Sequence, residues 1–172
     1  MLNKLRDELR DIITSDSVFV CVGTHKILFD AFAPCCGYFL EGKNIPVYGT
    51  TDKNVNASNI YDRLYEIYDI DKIDAKNIIA IDSAVASDVN KKNSIEVRKN
   101  CPIRPGAGVG KELPSIGAHS IVLYTLTKDE VDYVMDGYRS GVGSKNDPCT
   151  SDYVIANSLL LANVIEEIYN EA

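Results

Sequence analysis

Residues 77–82, NIIAID, form an apolar run that ends in a carboxylate, and this run decides the fold class. Its consecutive apolar residues predict a strand over 77–81 that is buried on both faces, as in a sheet covered by helices. Two further runs of this kind occur, VFVCVG at 18–23 and HSIVLYTL at 119–126. Three buried strands separated by helical segments predict an α/β fold.

Helical periodicity fills the segments between these strands. Five helices are predicted, at residues 2–13, 31–40, 57–70, 127–141 and about 151–169. Asp30 and Asn56 stand where helix N-caps stand. Thr127 and Glu130 form a capping box, and Gly141 can end the helix that follows them.

The remaining strands and the core complete the predicted architecture. A short strand is predicted at 45–50 and a weaker edge strand at 95–98. We therefore expect a three-layer α/β/α sandwich with a mostly parallel or mixed sheet. It forms a single domain over residues 1–172, with residues 1–14 as an N-terminal helix packed on it. The last helix is expected to present these residues to the core: Leu159, Leu160, Val164, Ile165 and Ile168.

Composition and charge restrict the partners and the compartment. The chain has 18 basic and 25 acidic residues and a formal net charge of −7, which argues against unaided binding to nucleic acid or an anionic membrane. Charges interrupt the N-terminal apolar residues, and no apolar run reaches the ~20 residues that span a bilayer. The 5 cysteines are odd in number and lack C-x-x-C spacing, as expected of reduced thiols. These features predict a cytoplasmic protein.

Two aspartates are the candidate catalytic residues. Asp30 and Asp82 follow apolar strands, and in α/β sheets ligands gather at the carboxyl ends of the strands. Two carboxylates held close together share a proton and divide the acid and base roles between them. Spacing alone leaves open a helix cap for Asp30 and a turn residue for Asp82.

The glycine-rich segment 104–117 does not form a nucleotide motif. A phosphate-binding loop requires G-x-x-x-x-G-K-[ST], but Pro105 occupies the place of the first glycine and Glu112 that of the hydroxyl residue. The G-x-G-x-x-G dinucleotide pattern is also missing. The segment is open to two interpretations, a flexible surface loop or a mobile flap over a site, and no cofactor is predicted.

The histidines and cysteines offer weaker alternatives. His25 and His119 are too scattered for a structural zinc site, and no cysteine pair has the usual spacing. A divalent metal held by Asp30, Asp82 and His119 is chemically reasonable, because oxygen and imidazole ligands suit several metals. Cys21 lies within a predicted buried strand, where a thiol is inert.

Four segments follow one another along residues 18–126 and span most of this range: VCVGTHKILFDAFAP, PVYGTTDKNVNASNI, NIIAIDSAVA and RPGAGVGKELPSIGAHSI. In this order they resemble the small YyaC-like sporulation proteins of spore-forming Firmicutes. The same layout is more distantly similar to the spore germination endopeptidase and the hydrogenase-maturation endopeptidases. The resemblance implies a phosphorylase/hydrolase-like fold, a sporulating cell or spore, and a protein or peptide substrate.

Carried over residue by residue, the resemblance assigns Asp30 and Asp82 as the proposed catalytic pair of a peptidase. In the hydrogenase-maturation relatives a histidine and acidic residues bind a metal, and His119 is the only counterpart here. The sequence departs from the family pattern at several polar positions. His25 replaces an Asp, Asn56 replaces a His, Phe29 replaces the Gly before Asp30, and Phe32-Ala33 replaces Leu-Gly.

These departures leave three hypotheses open. The first is a sporulation-associated peptidase, and the second is a catalytically inactive relative that binds a peptide or regulates a partner. The third is a metal-dependent hydrolase. A bulky Phe29 beside Asp30 is expected to narrow the cleft or to desolvate the carboxyl group and raise its pKa.

Overall fold

The computed structural model describes residues 2–106, 112–140 and 148–172. Within these ranges the strands form one five-stranded sheet in the order β2-β1-β3-β5-β4. The strands are β1 (Val18–Cys21), β2 (Val47–Tyr48), β3 (Ile78–Ala86), β4 (Ile95–Arg98) and β5 (His119–Thr127). All neighbouring strands run parallel except β4, which pairs antiparallel with β5 at the edge. The mixed sheet and the edge strand at 95–98 are therefore as predicted.

The helices lie between and after the strands. They are α1 (Leu2–Arg10), α2 (Phe32–Glu41), α3 (Ile60–Tyr65), α4 (Lys128–Arg139) and α5 (Ser151–Tyr169). Short 3-10 turns occur at Leu28–Asp30, Ala75–Asn77 and Val89–Lys91, and a π-helical segment at Glu66–Ile70 continues α3. None of the described helices combines the length and the apolar character needed to cross a bilayer.

The two faces of the sheet carry separate hydrophobic clusters. On one face Phe19, Ile79 and Ile121 pack with residues of α1, α2, α4 and α5. We call this the α5 face. On the other, Val20 and Val122 pack with residues of α3 and of the loops before β3 and β5. We call it the α3 face. Alternate residues of a strand point to opposite sides, so helices cover both faces of the sheet and the α/β class is confirmed.

Two glycines allow α2 to approach β1 and β2 closely. A Cβ on Gly37 would lie 2.5 Å from the carbonyl oxygen of Gly49. Gly49 itself has φ +86°, and a Cβ there would lie 1.9 Å from the carbonyl oxygen of Cys21. Across the helix, the buried Ser158 hydroxyl donates to the carbonyl oxygen of Phe32 at 2.9 Å, which joins α5 to α2. Small residues and one buried hydroxyl therefore set the spacing of the α5 face.

Three local predictions were wrong. Strand β3 does not end before Asp82 but continues to Ala86, because β5 pairs with it along its whole length. Asp30 does not cap α2; the N-cap is Ala31, which has no side-chain cap, and the Asp30 carboxylate binds elsewhere. Asn56 does not cap α3, which begins at Ile60, four residues later, because the Asn56 side chain closes a local turn with Ser58.

The predicted inward residues of α5 are partly wrong. Leu159 and Leu160 are each 40% exposed, whereas Val164, Ile165 and Ile168 are buried as predicted. The buried positions of the first half follow a stripe at intervals of three and four residues that includes Val154, Ser158 and Leu161. Leu159 and Leu160 lie outside this stripe. Their apolar character alone does not show whether they face the core or the solvent.

The Glu130 carboxylate accepts the N–H of Thr127 at 2.8 Å, which is the acidic half of the predicted capping box. The Thr127 hydroxyl also donates to Glu130, so both the backbone and the side chain of Thr127 contact this carboxylate. The proposed helix end at Gly141 and the centre of the glycine-rich segment, residues 107–111, lie outside the described residues.

Candidate active site

Asp30 is held by a loop that folds back over the carboxyl end of β1. The loop starts at Gly23, where φ is +147° and a Cβ would lie 2.3 Å from the carbonyl oxygen of Asp30. Only glycine tolerates this conformation and this close approach. Residues 28–30 then form a 3-10 turn, and the Asp30 carboxylate accepts the N–H of Thr24 at 2.9 Å. The loop thus ties its last residue to its first.

Asp82 lies inside β3, one residue beyond the last pairing with β1. Cys21 pairs with Ile81, and the next residue of β3, Asp82, pairs with Val122 of β5. Strand β1 has ended at this level, and the loop that carries Asp30 follows it. The Asp82 carboxylate accepts the N–H of Ser83 at 2.7 Å. A rigid central strand therefore positions one carboxylate, and a short turn positions the other.

Burial and mutual charge raise the pKa of both aspartates. Desolvation raises the pKa of Asp30 to about 6, against the opposing effect of the Thr24 N–H. Desolvation also raises the pKa of Asp82 well above its ordinary value, and the negative charge of Asp30 raises it further. The Ser83 N–H and the charge of Arg98 act in the opposite direction on Asp82. The two carboxyl groups are thus electrostatically coupled, and Asp82 is the one that holds a proton more strongly.

Three polar residues near Asp82 did not emerge from the sequence as site residues. Tyr124 is 6% exposed, and its hydroxyl donates to Glu96 Oε2 at 2.5 Å. Arg98 Nη2 donates to the same hydroxyl at 2.5 Å. Period-two alternation in residues 95–98 was the available signal, because it places Glu96 and Arg98 on one face of the predicted edge strand.

The histidines do not join the aspartates. His119 pairs with Ile79 at the start of β5, three residues before the neighbour of Asp82, which is roughly 10 Å along the strand. Its Nδ1 accepts the N–H of Asn100 at 3.1 Å, and burial lowers its pKa. His25 is exposed. No three His, Cys, Asp or Glu side chains in the described part of the chain come together as metal ligands do, so Asp30, Asp82 and His119 do not assemble as a triad.

Two other residues that the sequence analysis named, Cys21 and Phe29, pack in or against the hydrophobic core. Cys21 is fully buried, and burial raises the pKa of its thiol, as expected of an inert core residue. Phe29 is partly buried and packs against the cluster of the α5 face. Desolvation raises the pKa of Asp30, which is the predicted direction. The Phe29 ring itself packs against the hydrophobic cluster.

Fold and site together define an α/β protein with a desolvated carboxylate pair beside the carboxyl end of the first strand of a mixed sheet. Residues 1–139 match the family described as "Protein of unknown function (DUF1256)", and the chain belongs to this family. It is similar to the "Uncharacterized protein YyaC" of Bacillus subtilis (strain 168), with 32% identity over 116 residues. This match covers 66% of the chain and 55% of the relative, so it spans about half of the relative's length. The YyaC-like resemblance is confirmed at the level of the family.

Proposed function

We propose that this chain is a peptidase-like hydrolase of sporulating cells that uses Asp30 and Asp82 to hydrolyse a peptide bond. The observation that carries the proposal is the coupling of the two carboxyl groups, in which the charge of Asp30 raises the pKa of Asp82. Structural carboxylates are usually solvated or paired with cations, whereas catalytic ones are often desolvated and coupled. The sporulation setting and the peptide substrate rest on the resemblance.

The coupled pair divides the acid and base roles. With a pKa of about 6, Asp30 is mostly ionised at neutral pH and can take a proton from an attacking water. Asp82 retains its proton and can donate it to the carbonyl oxygen or to the departing amine. The pair then returns to its starting state when the proton moves from Asp30 to Asp82. Both roles are filled by side chains of this protein.

The same assignment gives the pH dependence of the reaction. Activity rises as Asp30 loses its proton, with an apparent pKa of about 6. It falls at higher pH when Asp82 also ionises, because the acid is then lost. The profile is therefore a bell whose acidic limb lies well above the ordinary range of aspartate.

Specific contacts also favour the second hypothesis, a peptide-binding relative without turnover. Asn56, which stands at the position of a family histidine, uses its side-chain oxygen to accept the N–H of Ser58 at 2.9 Å and its hydroxyl at 2.6 Å. That side chain is engaged in its own turn. His25, at the position of a family aspartate, is exposed. A chain with these two changes can bind a peptide and lack catalysis.

The deciding experiment incubates the full chain with acid-soluble spore proteins and with an unfolded casein-like substrate. Asp30→Asn and Asp82→Asn should each lower cleavage about 10²–10⁴-fold, the usual contribution of one acid or base. Asp132→Asn is the matched control, because Asp132 is an exposed carboxylate of α4. Cleavage that survives in Asp82→Asn contradicts the proposed role of the pair. A folded wild type that binds these substrates without cleaving them supports the second hypothesis.

A further inference from the structure

A row of side chains crosses the α3 face from Asp82 to the edge of the sheet, with the apolar Val122 between its two polar ends. Glu96 of β4 pairs with Val122 of β5, which pairs with Asp82 of β3. Paired residues of neighbouring strands point to the same face. Arg98 lies two residues from Glu96, and Tyr124 two residues from Val122, so both join this face. The row therefore begins at the candidate catalytic carboxylate and ends at β4.

The outer part of the row brings two cations together at one aromatic ring. Lys91 Nζ lies 5.4 Å and Arg98 Cζ 5.8 Å from the centre of the Tyr124 ring. Glu96 forms an ion pair with each of them, at 3.7 Å from Lys91 Nζ and 3.4 Å from Arg98 Nη2. Lys91 also lies within electrostatic reach of the exposed Asp88 carboxylate. Two carboxylates therefore balance the two cations, in a chain whose net charge is −7.

Arg98 retains hydrogen-bonding capacity for a further acceptor. Its contacts to Tyr124 and Glu96 both use Nη2, and within the described ranges Nη1 and Nε have no hydrogen-bond partner. The side chains of Arg98, Glu96 and Lys91 are 30%, 40% and 50% exposed, so solvent and a ligand can reach them. A guanidinium with free N–H groups in a planar fork is suited to a carboxylate.

The cluster also lies near the candidate active site and acts on the charge of Asp82. The positive charge of Arg98 lowers the pKa of Asp82, against the larger effects of burial and of Asp30. Val122 alone separates Asp82 from Glu96 on this face, so the cluster lies two strand spacings, roughly 10 Å, from Asp82, within the span of a bound peptide. The buried Tyr124 ring holds both cations in place from below.

We propose that Lys91, Arg98 and Tyr124 form a carboxylate-binding subsite beside Asp82, which selects peptides with an acidic group near the bond to be cleaved. The position of that bond rests on the proposed function. In the absence of substrate, Glu96 forms ion pairs with Lys91 and Arg98, and the substrate carboxylate competes with Glu96 for these two cations. The carboxylate comes from an Asp or Glu side chain or from a free C-terminus. Acidic peptides thus bind despite the overall negative charge.

Direct binding tests this subsite without requiring hydrolysis. The probes are fluorescently labelled nonapeptides of Ala and Ser with a central Glu or a central Gln, each with a free or an amidated C-terminus. The wild type should bind the better carboxylate peptide about tenfold more tightly than the neutral peptide, as one charge-assisted contact provides. Preference for Glu over Gln identifies a side-chain carboxylate, and preference for the free acid over the amide identifies the C-terminus.

Variants assign the preference to the cluster. Arg98→Gln should abolish it, and Glu96→Gln should increase it because the competing carboxylate is removed. Lys76→Gln is the control for net charge, because Lys76 is 76% exposed at the opposite end of β3. If Arg98→Gln does not fold, the exposed Lys91→Gln replaces it, with an expected loss of two- to threefold.

The binding and cleavage results separate the two proposals. Equal binding of carboxylate and neutral peptides by the wild type overturns the subsite, whether or not the chain cleaves them. Preference that persists unchanged in Arg98→Gln or Lys91→Gln also overturns it. Preference that these variants remove supports the subsite, and if no peptide is cleaved by the wild type, the hydrolase proposal alone is lost.

Discussion

The two faces of the sheet differ in what covers them. Four helices, α1, α2, α4 and α5, pack on the α5 face, and its cluster consists of aliphatic and aromatic side chains together with buried thiols. The α3 face has one short helix and loops, and toward β4 its side chains become polar and partly exposed. Asp82, Glu96 and Arg98 all lie on that less covered end.

This contrast indicates a division of labour within one sheet. A face covered by helices contributes free energy of unfolding, because apolar area is removed from water. A partly open face can hold polar groups that a ligand reaches, although their desolvation lowers stability. Changes on the α5 face should therefore act on folding, and changes at the site should act on chemistry.

The largest effect on stability is expected from Phe32→Ala on the α5 face. Phe32 is fully buried in the first turn of α2, just after the turn that carries Asp30. Removing a buried aromatic ring leaves a cavity, so the free energy of unfolding should fall by about 3–5 kcal/mol. Denaturant unfolding measures this loss.

Tyr38→Ala provides the matched control for that substitution. It removes another aromatic ring from the same helix, but Tyr38 is 54% exposed. Its cost should stay below about 1 kcal/mol, as for most surface substitutions. A similar loss for both variants would contradict the view that burial on the α5 face determines stability.

At the site, Asp30→Asn should change the free energy of unfolding in the opposite direction and raise it at pH 7. The pKa of Asp30 is about 6 when folded, against an ordinary value of 3.8. Asp30 therefore makes its full contribution to the stability of the wild type below about pH 4, and this contribution is lost as pH rises through 6. The amide avoids this loss, so the variant should be more stable by up to about 3 kcal/mol above pH 6.

Unfolding of the wild type and of Asp30→Asn over pH 3–8 measures the difference. The two curves should coincide at low pH and separate between pH 4 and 6. Asp132→Asn, which changes an exposed carboxylate, should follow the wild type throughout. If the wild type instead became more stable relative to Asp30→Asn as pH rises over this range, the raised pKa of Asp30 would be contradicted.

A smaller effect is expected from Ser158→Ala, which sharpens the comparison inside the α5 face. The Ser158 hydroxyl is buried, and its single proton is shared between the carbonyl oxygens of Phe32 and Val154, which lie at 2.9 and 2.8 Å. Loss of a buried hydrogen bond should lower the free energy of unfolding by about 1 kcal/mol. Ser151→Ala, at an exposed position of the same helix, is the control. Equal losses in the two variants would show that the link between α5 and α2 does not stabilise this face.

The sequence predicted the elements whose signals are local or strongly periodic. The bounds of α5 and β4 match the prediction, and β5 differs by one residue, because apolar periodicity and flanking turn residues mark them. The two aspartates were singled out from their positions after apolar runs. Their electrostatic coupling could not be derived, because it depends on how far β3 continues past β1.

Tertiary contacts decided the features that the sequence missed. The extension of β3 to Ala86 is stabilised by pairing with β5, which lies more than 30 residues away in the chain. The Asp30 carboxylate binds the N–H of Thr24 because Gly23 turns the loop back, and a local cap pattern contains no trace of that contact. Arg98 and Tyr124 meet only when β4 pairs with β5.

The two edges of the sheet are poor templates for the addition of further strands. An unpaired strand edge is a template for further strands, and proteins protect it with short strands or with charges. Strand β2 contributes only two residues, Val47–Tyr48, to one edge. At the other edge β4 alternates apolar and charged residues, IEVR, so an added strand would have to desolvate Glu96 and Arg98. The same two charges that border the candidate subsite therefore also disfavour fibril-like growth of the sheet.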